Sequence, residues 1–182
     1  MEKFRVKKED TVLLIIDLQE KLMVAMKDRE KAYKNTNILL QAAEGLHYPV
    51  VVTEQYPRGL GETVPEIKKH FKEPYLVEKM KFSACVTELK AILEKLNRKT
   101  ILVTGSETHV CVYQTVRDLL GDGFKVHVIR DAVCSRFDEN YENGLLLMQE
   151  MGAVINNTET VLFDMLEAAG TPEFKLVSKL VK

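Results

Sequence analysis

The stretch Thr11-Val12-Leu13-Leu14-Ile15-Ile16 is apolar from its second residue to its last, with no polar alternation. A strand with one wet face would alternate. A continuous run of this length reads as a strand covered on both faces, which a parallel sheet flanked by helices provides. Further strands read at Pro49–Thr53, Pro74–Glu78, Thr100–Val103, Phe124–Ile129 and Gly152–Asn156. Between them the period turns helical. Ala32, Thr36, Leu39, Ala43 and Leu46 share one face of a helix over Glu30–Leu46. Ser83 is the expected N-cap of a helix whose stripe is Leu89, Ile92, Leu93 and Leu96. Later helices are expected up to Leu120, over Asp138–Met151, from a Thr158 cap to Ala168, and as an amphipathic piece after Thr171-Pro172. Strands alternating with helices at this spacing mean parallel strands joined by right-handed crossovers. At 182 residues the chain reads as one domain, 1–182.

In a parallel sheet all carboxyl ends lie on one edge, where α/β folds place their sites. Three strand ends carry reactive groups. The first ends at Asp17, the third at Lys79, and the fourth runs into Thr104-Gly105-Ser106-Glu107-Thr108-His109-Val110-Cys111-Val112. Each has a bland reading: Asp17 as a cap, Lys79 and Lys81 as solvated lysines, Cys111 as a small buried hydrophobe. Together they supply what a cysteine nucleophile needs. A helix start and Lys79 would lower the Cys111 thiol pKa toward a preformed thiolate. Asp17 would take and return the proton. Backbone N–H groups of the turn would receive the carbonyl oxygen. The loop Glu54–Gly61 either walls this site or is simply solvated.

The near-balanced charge, formally −1, argues against nucleic acid as the main partner, which usually needs a basic face. No apolar stretch is long enough to span a bilayer, and Met1-Glu2-Lys3-Phe4-Arg5 lacks the apolar core of a signal peptide, so the cytoplasm is the simplest address. The three cysteines are scattered, and His47, His70, His109 and His127 lack metal-ligand spacing, so neither a disulfide frame nor a metal site is expected. No G-x-S-x-G or G-x-G-x-x-G occurs, which argues against a serine elbow and the usual dinucleotide fold.

Asp17-Leu18-Gln19 after the first strand, Glu78-Lys79-Met80-Lys81-Phe82-Ser83 after the third, and Gly105–Val112 after the fourth resemble, in order, the three motifs of the isochorismatase-like cysteine hydrolases. The resemblance covers nearly the whole chain. Thr53–Glu66 and Pro172–Lys175 are similar to the isochorismatase domain-containing proteins. The resemblance implies a three-layer α/β/α sandwich around a mostly parallel sheet, and a catalytic triad of Asp17, Lys79 and Cys111. It implies a cis peptide at Ser106–Glu107, with oxyanion donors at the Glu107 and Cys111 backbone. It also implies a homo-oligomer, as dimer or tetramer. The metal-dependent nicotinamidases of the superfamily carry Asp-x-His where this chain has Glu54-Gln55-Tyr56, which argues against zinc. The expectation is a cofactor-free hydrolase of a small amide or related acyl or imino C–N substrate, with Gln19, Gln55, Tyr56 and Phe82 as pocket residues. Two alternatives stay open: isochorismatase-type vinyl-ether hydrolysis, which need not use the cysteine, and a non-catalytic, redox-responsive binding protein of the same fold.

Overall fold

The computed structural model describes residues 1–182. Its strands are β1 (Thr11–Ile16), β2 (Val50–Gln55), β3 (Tyr75–Lys79), β4 (Thr100–Ser106), β5 (Lys125–Cys134) and β6 (Val154–Asn156). They form one sheet in the order β3-β2-β1-β4-β5-β6, with every pair parallel. The helices are α1 (Glu20–Met23), α2 (Arg29–Leu46), α3 (Pro57–Leu60), α4 (Pro65–Lys68), α5 (Thr87–Leu96), α6 (Tyr113–Gly121), α7 (Asp138–Glu150), α8 (Thr158–Leu166) and α9 (Pro172–Leu180). None is long and apolar enough to cross a membrane.

The unalternated β1 run is explained by two cores. Leu13 and Ile15 pack under α2, α8 and α9, whereas Val12, Leu14 and Ile16 pack under α5, α6 and α7. All six β1 residues are buried. Burying each such side chain contributes about 1.5–3 kcal/mol, so a polar substitution on either face would be costly. The sandwich therefore has three layers. The terminal amphipathic piece is α9, capped by Thr171, whose Oγ1 accepts from Phe174 N at 3.1 Å. It lies on the body rather than free: a Cβ on Gly45 of α2 would come within 2.0 Å of Leu176 Cδ2.

Three local expectations change. Ser83 does not cap α5, which begins at Thr87 after Val86. Instead its hydroxyl donates to Asp118 of α6 at 2.6 Å and accepts from Cys85 N at 3.2 Å. Asn157 rather than Thr158 caps α8, accepting from Thr160 N at 2.8 Å, while Thr158 N and Oγ1 donate to Asp131 at 3.0 and 2.9 Å. Finally, β5 does not stop at Ile129. Its pairing with β4 jumps from Val103↔Val128 to Gly105↔Val133, so Thr104 alone faces the stretch from Ile129 to Ala132. This bulge breaks the period that sequence reading relies on, and the strand resumes to Cys134.

The chain order reverses between β1 and β4, and the two strands come very close at their carboxyl ends. Gly105 has φ +124°, and a Cβ there would lie 2.0 Å from the Ile16 carbonyl oxygen. That atom is backbone and cannot turn aside. Gly105→Ala is expected to cost about 3 kcal/mol, read as a lowered midpoint in thermal unfolding; an unchanged midpoint would contradict this account of the strand contact.

Candidate active site

Asp17 ends β1 in the left-handed region, φ +51°, a conformation Asp tolerates better than most residues. The turn is held on both sides: its N–H donates to Thr53 O at 3.1 Å, and Ser106 Oγ donates to its carbonyl at 2.9 Å. The carboxylate is wholly buried and accepts from Thr53 Oγ1 at 2.7 Å and from Lys79 Nζ at 2.6 Å. Cys111, also buried, lies close enough that its thiol and this carboxyl influence each other's ionisation. Burial raises the Asp17 carboxyl above its ordinary pKa; the Lys79 charge and these donors offset only part of that. The result is an unusually basic carboxylate, which suits proton transfer.

Lys79 is the last residue of β3 and 4% exposed. Besides Asp17, its ammonium donates to Gln55 Oε1 at 2.8 Å and to the carbonyls of Phe82 and Lys81 at 3.0 and 3.2 Å. Four acceptors surround three hydrogens, so its donors are taken up in holding Asp17 and the β3 exit. Lys81, in contrast, is exposed.

Cys111 lies in a π-helical turn, Thr108–Val112, that leads into α6. The Ser106–Glu107 peptide before it is cis. The amides of Val110 and Val112 both donate to the Glu107 carbonyl, at 3.0 and 3.2 Å. Helix α7 presses close: a Cβ on Gly144 would meet His109 Cα at 3.0 Å. Here the structure corrects the expectation of a preformed thiolate. Burial, then the negative charge of Asp17, pushes the Cys111 thiol up to about 12, and Lys79 recovers only part of the shift. The resting site thus favours a neutral Cys111 thiol close to a carboxyl whose own pKa is raised. Sequence reading counted the cation and the helix start but could not count desolvation, the larger effect here.

The four residues expected to line a pocket divide into two groups. Gln19 does not face a pocket. It is fully buried, its Oε1 accepts from Gln55 N at 2.7 Å, and its Nε2 donates to the carbonyls of Gln55 and Gly61 at 2.9 and 2.7 Å. It staples the β2 exit loop. The Gln55 side chain is almost equally occupied, accepting from Lys79 and donating to Met80 O at 2.8 Å. Tyr56 and Phe82 stand about half exposed beside it, with Met80, as an apolar rim. Glu54 also pins this loop, its Oε1 accepting from Thr63 N and Oγ1 at 2.7 and 2.8 Å. Sequence reading missed Thr53 and Ser106, whose hydroxyls fix Asp17; the only signal was a lone hydroxyl at the end of an apolar run. It also missed Ser135 and Arg136, which reach the Cys111 turn from β5. Ser135 Oγ lies 3.1 Å from His109 Nδ1. Nowhere do three or more His, Cys, Asp or Glu side chains come together in a metal-binding group.

A parallel α/β sheet with carboxylate, ammonium and thiol buried together at its carboxyl edge has the form of a hydrolase fold. Residues 11–160 match the isochorismatase domain. The chain belongs to the isochorismatase family of hydrolases. It is 41% identical over 177 residues to the secreted isochorismatase effector Isc1 of Phytophthora sojae, covering 94% of this chain and 84% of that protein. It is 34% identical to isochorismatase domain-containing protein 2 of Danio rerio, covering 97% and 89%. Among solved structures, the MAR1 ribonuclease from Caenorhabditis elegans superposes with a TM-score of 0.93 at 35% identity, covering 97% of this chain and 92% of that one.

Proposed function

We propose that this chain is a cofactor-free cysteine hydrolase of small amides or related acyl or imino C–N compounds. The observation that carries the reading is the burial of Cys111 beside the Asp17–Lys79 ion pair, 2.6 Å between Nζ and Oδ2, where both charges act on the thiol. Cys111 Sγ attacks the carbonyl carbon as its proton passes to Asp17. The carbonyl oxygen becomes an oxyanion, received by the N–H groups of Glu107 and Cys111. As the tetrahedral adduct collapses, the C–N bond breaks and Asp17 returns the proton to the departing amine. Water then attacks the thioester, with Asp17 taking its proton, and the acid leaves as the proton returns to Sγ. Lys79 touches no reacting atom; its charge favours the ionised form of Asp17 and its hydrogen bond aims the carboxylate. Tyr56 and Phe82 receive the apolar part of the substrate.

The near-complete burial of all three groups favours a small substrate. The site's own lysine is buried and fully engaged by Asp17, Gln55 and the Lys81 and Phe82 carbonyls, so it is not free to hold a phosphate.

The test is a panel of small amides and matching esters, quenched in acid and read by intact mass. A turned-over substrate is expected to leave its acyl mass on Cys111. Turnover with no acyl adduct on any substrate would sink the covalent reading.

A further inference from the structure

The bulged end of β5 reaches the nucleophile turn from the side opposite Asp17. The excursion is tied down at three points. Tyr141 Oη donates to Arg130 O at 2.5 Å, Asn35 Nδ2 donates to Asp131 O at 2.9 Å, and the Asp131 carboxylate accepts from Thr158. Bulges beside sites commonly re-aim a side chain. Here the residues just past the strand, Ser135 and Arg136, are delivered to the turn. Ser135 meets His109, two residues before Cys111. Arg136 donates from Nε to Glu107 Oε2 at 3.0 Å and from its backbone N to the same oxygen at 3.4 Å. Glu107 is nearly buried, and its amide is one of the two proposed oxyanion donors.

A carboxylate this sheltered needs a partner, and Arg136 is the cation that meets it. The guanidinium is itself steadied above the Phe137 ring, 5.9 Å from its centroid. Glu107 also acts on the thiol: its charge is among the causes that raise the Cys111 pKa. Without Arg136, that charge would stand uncompensated beside the nucleophile and the turn would lose a tether on its leading residue.

We propose that Arg136, carried to the site by the β5 bulge, is a positioning residue that fixes the nucleophile turn through Glu107. This rests on Cys111 as the nucleophile, but the test needs no knowledge of the substrate. Cys111 is alkylated with iodoacetamide across a pH series, with the modified cysteine assigned by peptide mass mapping and folding followed by thermal unfolding. Arg136→Ala is expected to slow Cys111 alkylation roughly tenfold to a hundredfold and to displace the pH profile upward. Arg136→Lys should recover part of the loss. The double variant Glu107→Gln with Arg136→Ala should bring the profile back toward wild type, because the uncompensated charge is gone. An unchanged rate and profile in Arg136→Ala would overturn the proposal. So would a double variant displaced as far as the single one, since Arg136 would then act without Glu107. Failure of the covalent reading shows separately, as turnover that survives in Cys111→Ala.

Discussion

Cys111→Ala is expected to lose turnover by about 10⁶-fold while its unfolding midpoint barely moves. The two parts have separate causes. In the proposed mechanism the thiol is the nucleophile, so nothing replaces it when Sγ is removed. Asp17 keeps Thr53 and Lys79, and the turn keeps its backbone bonds to Glu107 O, so the frame survives. The vacated volume is one sulfur atom, worth about 1 kcal/mol. The comparison is made with the best amide of the panel, by steady-state rates alongside calorimetry. A folded variant with near wild-type rates would instead favour vinyl-ether hydrolysis, in which the cysteine is dispensable. A folded wild type with no turnover of any amide or ester would favour the binding or redox reading.

Lys79→Met should cost both stability and activity, and the two losses should share a pH dependence. The substitution keeps most of the side-chain volume and removes the charge. It leaves a buried carboxylate without its ion partner, which costs about 3–5 kcal/mol. Asp17 answers by holding its proton to still higher pH. The sign follows from linkage: a group whose folded pKa is raised loses stabilisation as pH rises through that folded value. The variant should therefore lie nearest to wild type in acid and fall furthest behind near neutrality, in urea unfolding run at several pH values. In the same window its Asp17 is protonated and cannot accept the thiol proton, so the acid limb of the pH–rate profile should move upward. Wild-type stability at neutral pH would show that the Lys79–Asp17 pair carries no such weight.

The main features of the fold were readable because each rests on a local pattern. Thr11–Ile16 is apolar on both faces, and that alone implies two helical layers. Asp17, Lys79 and the Cys111 turn could be grouped, though 62 residues separate Asp17 from Lys79, because parallel strands put their ends on one edge. What escaped depends on the third dimension. The protonation state of Cys111 is decided by desolvation, which no spacing records. Gln19 read as a pocket residue, whereas its amide is consumed by the backbone of Gln55 and Gly61. The end of β5 was hidden because Arg130 and Asp131 interrupt the apolar run where the strand bulges out and returns. Ser135 and Arg136 were invisible for the same reason, since their place near the turn is a product of that bulge.

The meeting of β1 with β4 at the reversal of strand order also bears on how the protein comes into being. The hydroxyl of Ser106 reaches the carbonyl of Asp17 across 89 residues of sequence. Closing a loop of that length is among the slower events of folding. During synthesis Asp17 and Lys79 leave the ribosome before β4 does, so they can pair before the thiol is in reach. Until β4 docks, Cys111 is an ordinary solvated cysteine. In the proposed reading, then, the site is complete only when β4 has joined β1 in the sheet.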